Sequence, residues 1–165
     1  MSIAQSILPE FKHEMASTRR LLERVPEEHA SWKPHPKSYS LGDLALHIAT
    51  IPMWARVTVT QDELNFTKAN QGTRPVFDTR RALLEMFDAN AAGAISALAE
   101  TSDDEMKKPW ALKNEGTVVF SMPRTAVMRG FVMNHLIHHR GQLTVYLRLK
   151  DVPLPPIYGG TADER

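Results

Sequence analysis

Apolar residues recur every three to four positions in four stretches of this chain, while two-residue alternation is almost absent. That pattern selects amphipathic helices packed on one another over any sheet-based fold. The first stretch runs from about Ser2 to Val25, with Ile3, Ile7, Phe11, Met15 and Leu22 on one face. Pro9 either kinks this helix or marks its start, and Pro26 stops it. Glu27 to Tyr39, rich in Pro, reads as an extended loop. Ser40 is a good N-cap, and Asp43 three residues on makes a loose capping box. The second stretch then carries Leu41, Leu44, His47, Ile48, Ile51 and Trp54, with Pro52 predicting a kink.

A polar loop from about Asn65 to Pro75 leads to the third helix, Arg80 to about Ala99, capped by Asp78 or Thr79. Leu83, Leu84, Phe87, Ala91, Ala94, Ile95 and Leu98 give it a core face. A short β-hairpin is expected near 109–120, around the Asn114-Glu-Gly116 turn. The fourth helix starts near Pro123 at position N1 and runs to about Lys150, followed by an irregular tail. The fold expected over 1–165 is therefore a single all-α domain, a four-helix bundle.

The composition removes several functions. The chain has no Cys, which excludes thiolate catalysis, iron–sulfur clusters and cysteine-ligated zinc. Lys and Arg number 20 against 19 Asp and Glu, with no basic block, so no nucleic-acid partner is expected. The longest stretch without a formal charge, Leu44 to Ala55, is too short to span a membrane, for which about 20 residues are needed. No signal peptide is apparent at the N-terminus, and a cytoplasmic location is the default expectation.

Of the seven His, three stand out. His135 and His139 lie one turn apart on the fourth helix and share a face. Phe131, Gln142, Tyr146 and Met128 fall near that face, which is therefore expected to point into the bundle. His47 sits on the apolar face of the second helix. Three inward imidazoles on two facing helices suit an open tetrahedral site for a divalent metal, with the fourth position left for water or substrate. The alternative is three core histidines, each satisfied separately. A di-iron carboxylate site would need two Glu-x-x-His motifs, and only Glu10-Phe-Lys-His13 is present. Ligating histidines usually donate their other ring N–H to an acceptor, for which Gln142, Glu14 and Asp43 are candidates. Trp32, His35 and Trp110 are candidates for pocket walls, or else packing anchors. Gly141 suggests a close contact at a dimer seam. Val132, Leu136, Leu143 and Leu147 lie beyond the His face and suggest apolar surface left for a second copy.

Three blocks carry a family resemblance: Tyr39-Ser-Leu-Gly-Asp-Leu-Ala-Leu-His47, His135-Leu-Ile-His-His139-Arg-Gly-Gln142, and Pro156-Ile-Tyr-Gly-Gly-Thr-Ala-Asp163, with Trp32-Lys-Pro-His-Pro-Lys-Ser upstream. In this order they resemble the DinB/YfiT-like family over nearly the whole chain. The resemblance implies a four-helix bundle with a long crossover between helices two and three. It implies His47, His135 and His139 as ligands of one divalent metal, zinc or nickel, and a homodimer. It also implies a small-molecule substrate and a transferase or isomerase activity using a low-molecular-weight thiol such as bacillithiol, mycothiol or glutathione. A metal-dependent hydrolase, or a non-catalytic protein that binds a metal or small ligand, stays open beside it.

Overall fold

The computed structural model describes residues 2–68 and 75–164. Helix α1 spans Ile3–Leu22 and starts from a reciprocal capping box between Ser2 and Gln5. Pro9 therefore lies inside the helix, not at its start. Three residues, Glu27–His29, form a 3₁₀ turn inside the Pro-rich loop. The loop closes back on the next helix, with Leu41 N donating to Trp32 O at 2.9 Å and Gly42 N to Ala30 O at 2.8 Å. That close approach requires glycine: a Cβ on Gly42 would lie 2.9 Å from Phe77 Cβ and 3.1 Å from Ala30 O. Helix α2, Leu41–Thr60, is capped by Ser40 Oγ, which accepts from Asp43 N at 3.1 Å. Helix α3, Arg80–Ala99, is capped by Thr79, whose hydroxyl accepts from Ala82 N at 3.1 Å.

The crossover between α2 and α3 carries a strand, β1, Glu63–Phe66, where a polar loop is expected from about Asn65. The remainder of that expected loop falls mostly at 69–74, outside the described residues. A short helix α4, Asp103–Lys107, leads into β2, Pro109–Asn114, and β3, Thr117–Pro123. The expected hairpin is there, and β1 joins it in parallel with β2 to give a three-stranded sheet, order β1-β2-β3. Its turn uses positive φ at Glu115 (48°) and Gly116 (78°), as a type I′ turn needs. β1 escapes a periodicity search because four residues are too few to show alternation, and its pairing partner lies far along the chain.

The last long helix is not uniform. α5, Arg124–Val127, passes into a π-helical segment, Met128–Met133, and then into α6, Asn134–Arg148. Pro123 is the N-cap and not N1. The core gathers Ile7, Phe11, Leu44, Ile48, Ile51, Leu83, Phe87 and Leu98 with Val132, Leu136, Leu143 and Leu147. These last four are 0–1% exposed, so they fill this chain's own core and are not the apolar surface expected for a second copy. The stripe that points into the bundle is Leu136–Arg140–Leu143–Leu147, about 100° around the helix from the His face. Gly141 is exposed, and a Cβ there would meet nothing within 4 Å, so no close contact inside the chain requires it. Among the described residues no helix is long and apolar enough to cross a membrane.

Candidate metal centre

α2 and α6 lie side by side and present His47, His135 and His139 to one another at the edge of the core. One ligand-type atom from each ring lies within 4.8 Å of the other two. His47 Nε2 is 3.1 Å from His135 Nε2. Ring centroids are separated by 5.0 Å (His47–His135), 4.5 Å (His47–His139) and 4.7 Å (His135–His139). The three rings are half-buried instead of fully interior, because the core stripe of α6 lies to one side of them.

Their chemistry suits a cation. Two tetrahedral ligands at about 2.0–2.1 Å from one ion stand about 3.3 Å apart, close to the His47–His135 separation. A shared proton serves at most two of three rings, whereas one divalent ion accepts lone pairs from all three. Gln142 Oε1 is 2.7 Å from His139 Nδ1, and Gln142 Nε2 faces His138 Nε2 at 3.1 Å. The amide oxygen therefore accepts the proton on His139 Nδ1 and leaves Nε2 with a lone pair, the tautomer a ligand needs. Burial lowers the His139 pKa, with His138 adding to the effect and the Gln142 hydrogen bond opposing it. Burial also lowers that of His135, followed by the charge of His139; the Phe131 carbonyl opposes this and His138 adds to it. Both shifts favour the neutral form that binds metal.

The two flanks of the cluster differ. On one, Trp54 and Phe131 stack at 4.7 Å and 9°, and Trp54 lies 5.5 Å from the His135 ring. On the other is a cavity of about 290 Å³, lined by Lys33, Lys37, Ser38, Tyr39, Asp43, His139, Gln142 and Tyr146. Tyr39 stacks on His47 at 5.8 Å. A larger cavity, about 490 Å³, lies between α2 and α3 and contains none of these histidines.

Of the candidate residues, Gln142 and Tyr146 line the cavity, and Trp32 backs it by packing edge-on against Tyr146 at 5.8 Å. Asp43 lines it too. His35 does not line it; the ring is exposed, and its Nδ1 accepts from Lys37 N at 3.2 Å within the loop. Trp110 is an anchor of the sheet, 1% exposed among Val57, Leu112 and Val127. Glu14 is not a partner of the histidines. It pairs with buried Arg140 at 2.6 Å and accepts from Tyr158 at 3.0 Å. Lys33, Lys37, Ser38 and Tyr39 were not singled out by sequence reasoning as site residues, since a Pro-rich loop has no periodicity to show where its side chains point.

A curated relative, the uncharacterized protein YrdA of Bacillus subtilis strain 168, is 24% identical over 157 residues, covering 95% of this chain and 89% of that protein. Two solved structures share the fold. One, a DinB-like protein from Bacillus cereus ATCC 10987, superposes with a TM-score of 0.72 at 24% identity, over 93% of this chain and 97% of that one. The other, a DinB-like protein from Bacillus subtilis, gives 0.71 at 21% identity, over 93% and 96%. With the fold, the three-histidine cluster and a match of residues 1–164 to the model of the DinB family, the chain belongs to that family.

Proposed function

We propose that this chain binds one zinc or nickel ion through His47, His135 and His139 and transfers a small thiol to an electrophile. The observation that carries the reading is the convergence of three imidazoles beside an open cavity, with Gln142 fixing the tautomer of His139. A bound divalent ion would supply a Lewis acid that lowers the pKa of a thiol reaching it. The chain has no Cys, so the sulfur must arrive on a second small molecule. In the reaction the sulfur forms a bond to the electrophilic carbon, the leaving group departs with its electron pair, and the thiol proton is released. Asp43 supplies the lining carboxylate that can accept that proton at Oδ. Tyr39 and Gln142 hold two of the rings in place, while the Trp54–Phe131 pair keeps water from the inner flank. A homodimer belongs to this reading on the family resemblance alone.

The test uses protein purified without a His tag. Metal analysis should find about one divalent ion per chain, since one site offers three imidazoles. A screen of thiols against electrophiles should then show loss of electrophile only when both thiol and metal are present. Metal-dependent turnover without a thiol would replace the transferase by a hydrolase. Failure to retain or take up zinc or nickel would overturn the reading entirely.

A further inference from the structure

The cavity beside His139 is unevenly charged. Lys33 and Lys37 line it from the Pro-rich loop, and Asp43 is the one acidic residue among its lining side chains. Lys107, Lys108 and Lys113 each pair with a carboxylate, and Lys150 lies over the Trp32 ring at 5.1 Å. Neither Lys33 nor Lys37 has an ion-pair partner among the described residues. Their loop is held in place by its own hydrogen bonds. Ser38 N donates to His35 O at 2.9 Å, Lys37 N to His35 Nδ1 at 3.2 Å, and Leu41 N to Trp32 O at 2.9 Å. Pro34 and Pro36 restrict the backbone between the two lysines. The opposite flank is aromatic, through Trp54 and Phe131.

We propose that Lys33 and Lys37 form an anion-binding arm of this cavity, so that its ligand is a small molecule carrying a carboxylate or phosphate besides the group that meets the histidines. The anionic end lies against the loop, because Lys33 and Lys37 are the cationic side chains of the cavity lining, whereas Trp54 and Phe131 on the opposite flank carry no charge to offset the cost of desolvating an anion. The cavity volume, about 290 Å³, sits at the small end for ligand pockets and fits a compact acid better than an extended chain. The identity of the head group rests on the metal reading; the charge selectivity does not.

The experiment compares ω-mercaptoalkanoates of three to six carbons with their neutral carboxamides, by calorimetry on zinc-loaded protein. A charge-assisted hydrogen bond to a lysine should favour the carboxylate by about tenfold or more. The chain length that binds best measures the span from the histidines to the lysines. Lys33→Ala/Lys37→Ala should lower carboxylate affinity by about tenfold and leave the carboxamide within about twofold, while Lys33→Arg/Lys37→Arg should retain the preference. Both lysines are exposed, so circular dichroism should be unchanged. Glutarate against glutaramide, followed by NMR on metal-free protein, reads the arm without any metal. A carboxylate preference there, together with no zinc uptake, would sink the metal reading and keep the arm. Equal binding of acid and amide in both forms, or a double alanine variant that keeps the preference, would overturn the arm.

Discussion

His139 and Arg140 are neighbours in sequence and open onto opposite worlds. On one side of α6, His139 joins His47 and His135, three half-buried rings with a ligand-type nitrogen of each within 4.8 Å of the others. On the other, Arg140 is 1% exposed and answered at every turn. Its guanidinium pairs with Glu14 at 2.6 Å and donates to Thr18 Oγ1 at 3.2 Å and to Tyr158 OH at 2.6 Å; Tyr158 donates in turn to Glu14. Both clusters are polar groups taken at least partly from water, but the second pairs a cation with a carboxylate, whereas the first gathers three rings of one kind. A completed buried network fixes structure: this one staples the C-terminal tail to α1 and α6. Three imidazole nitrogens gathered within reach of one point could hold a metal ion.

The first way to break that contrast is to remove Arg140. Arg140→Met should destabilise the chain by about 3–5 kcal/mol, because Glu14 is left buried without its cation. Urea denaturation would measure it, and Glu14→Gln on top of Arg140→Met should recover part of the loss. A change below about 1 kcal/mol would mean that the network is slack and the contrast false.

The opposite result is expected one residue earlier. His139→Ala should weaken zinc binding by well over 100-fold, beyond the 10–100-fold typical for losing an outer hydrogen-bond partner. It should change the stability of the metal-free chain by about 1 kcal/mol or less, as expected for a half-buried side chain. Gln142→Ala should fall in the 10–100-fold range, since it removes only the acceptor that sets the His139 tautomer. Competition against a chromophoric chelator reads all three proteins. If Gln142→Ala costs as much as His139→Ala, the amide itself is a ligand; if neither matters, the rings are not a metal site.

Much of this was legible in the residues, and the failures have physical causes. The caps at Ser40 and Thr79, the hairpin at Gly116 and the pairing of His135 with His139 follow from local rules that act within one turn. The inward face of α6 does not. Leu136, Leu143 and Leu147 form an apolar stripe interrupted by Arg140, and a guanidinium in that stripe reads as surface until Glu14 and Tyr158 are known to meet it. Met128 and Phe131 lie in the π-helical segment, where 100° per residue no longer carries a face forward. Extrapolating across it moved the histidines into the core by about a quarter turn. Glu14, one of three candidate partners for a ligand histidine, pairs instead with Arg140, the residue beside His139. The two lysines of the loop could not be assigned a direction from sequence because Pro-rich loops have no face.

Acid should separate the two clusters by a smaller effect. In the metal-free chain the pKa values of His135 and His139 lie below the ordinary 6.5, mainly because burial disfavours their charged forms. The unfolded chain takes up these protons near pH 6.5, the folded chain only at lower pH. Between those values the unfolded state binds more protons, so stability falls as pH falls. The stability is fully present above about pH 6.5 and is lost as pH drops through the folded-state values, with a ceiling of about 1.4 kcal/mol per pH unit for each ring. Urea denaturation of metal-free protein between about pH 8 and pH 5 should show this slope, and His135→Gln with His139→Gln should flatten it. Zinc adds a second acid-sensitive term, because protons compete with the ion for the same nitrogens, so the loaded chain should lose stability more steeply over the same range. A metal-free chain whose stability is level or rising from pH 7 to pH 5 would show that these rings are not held neutral by the fold, and the contrast with Arg140 would lose its physical basis.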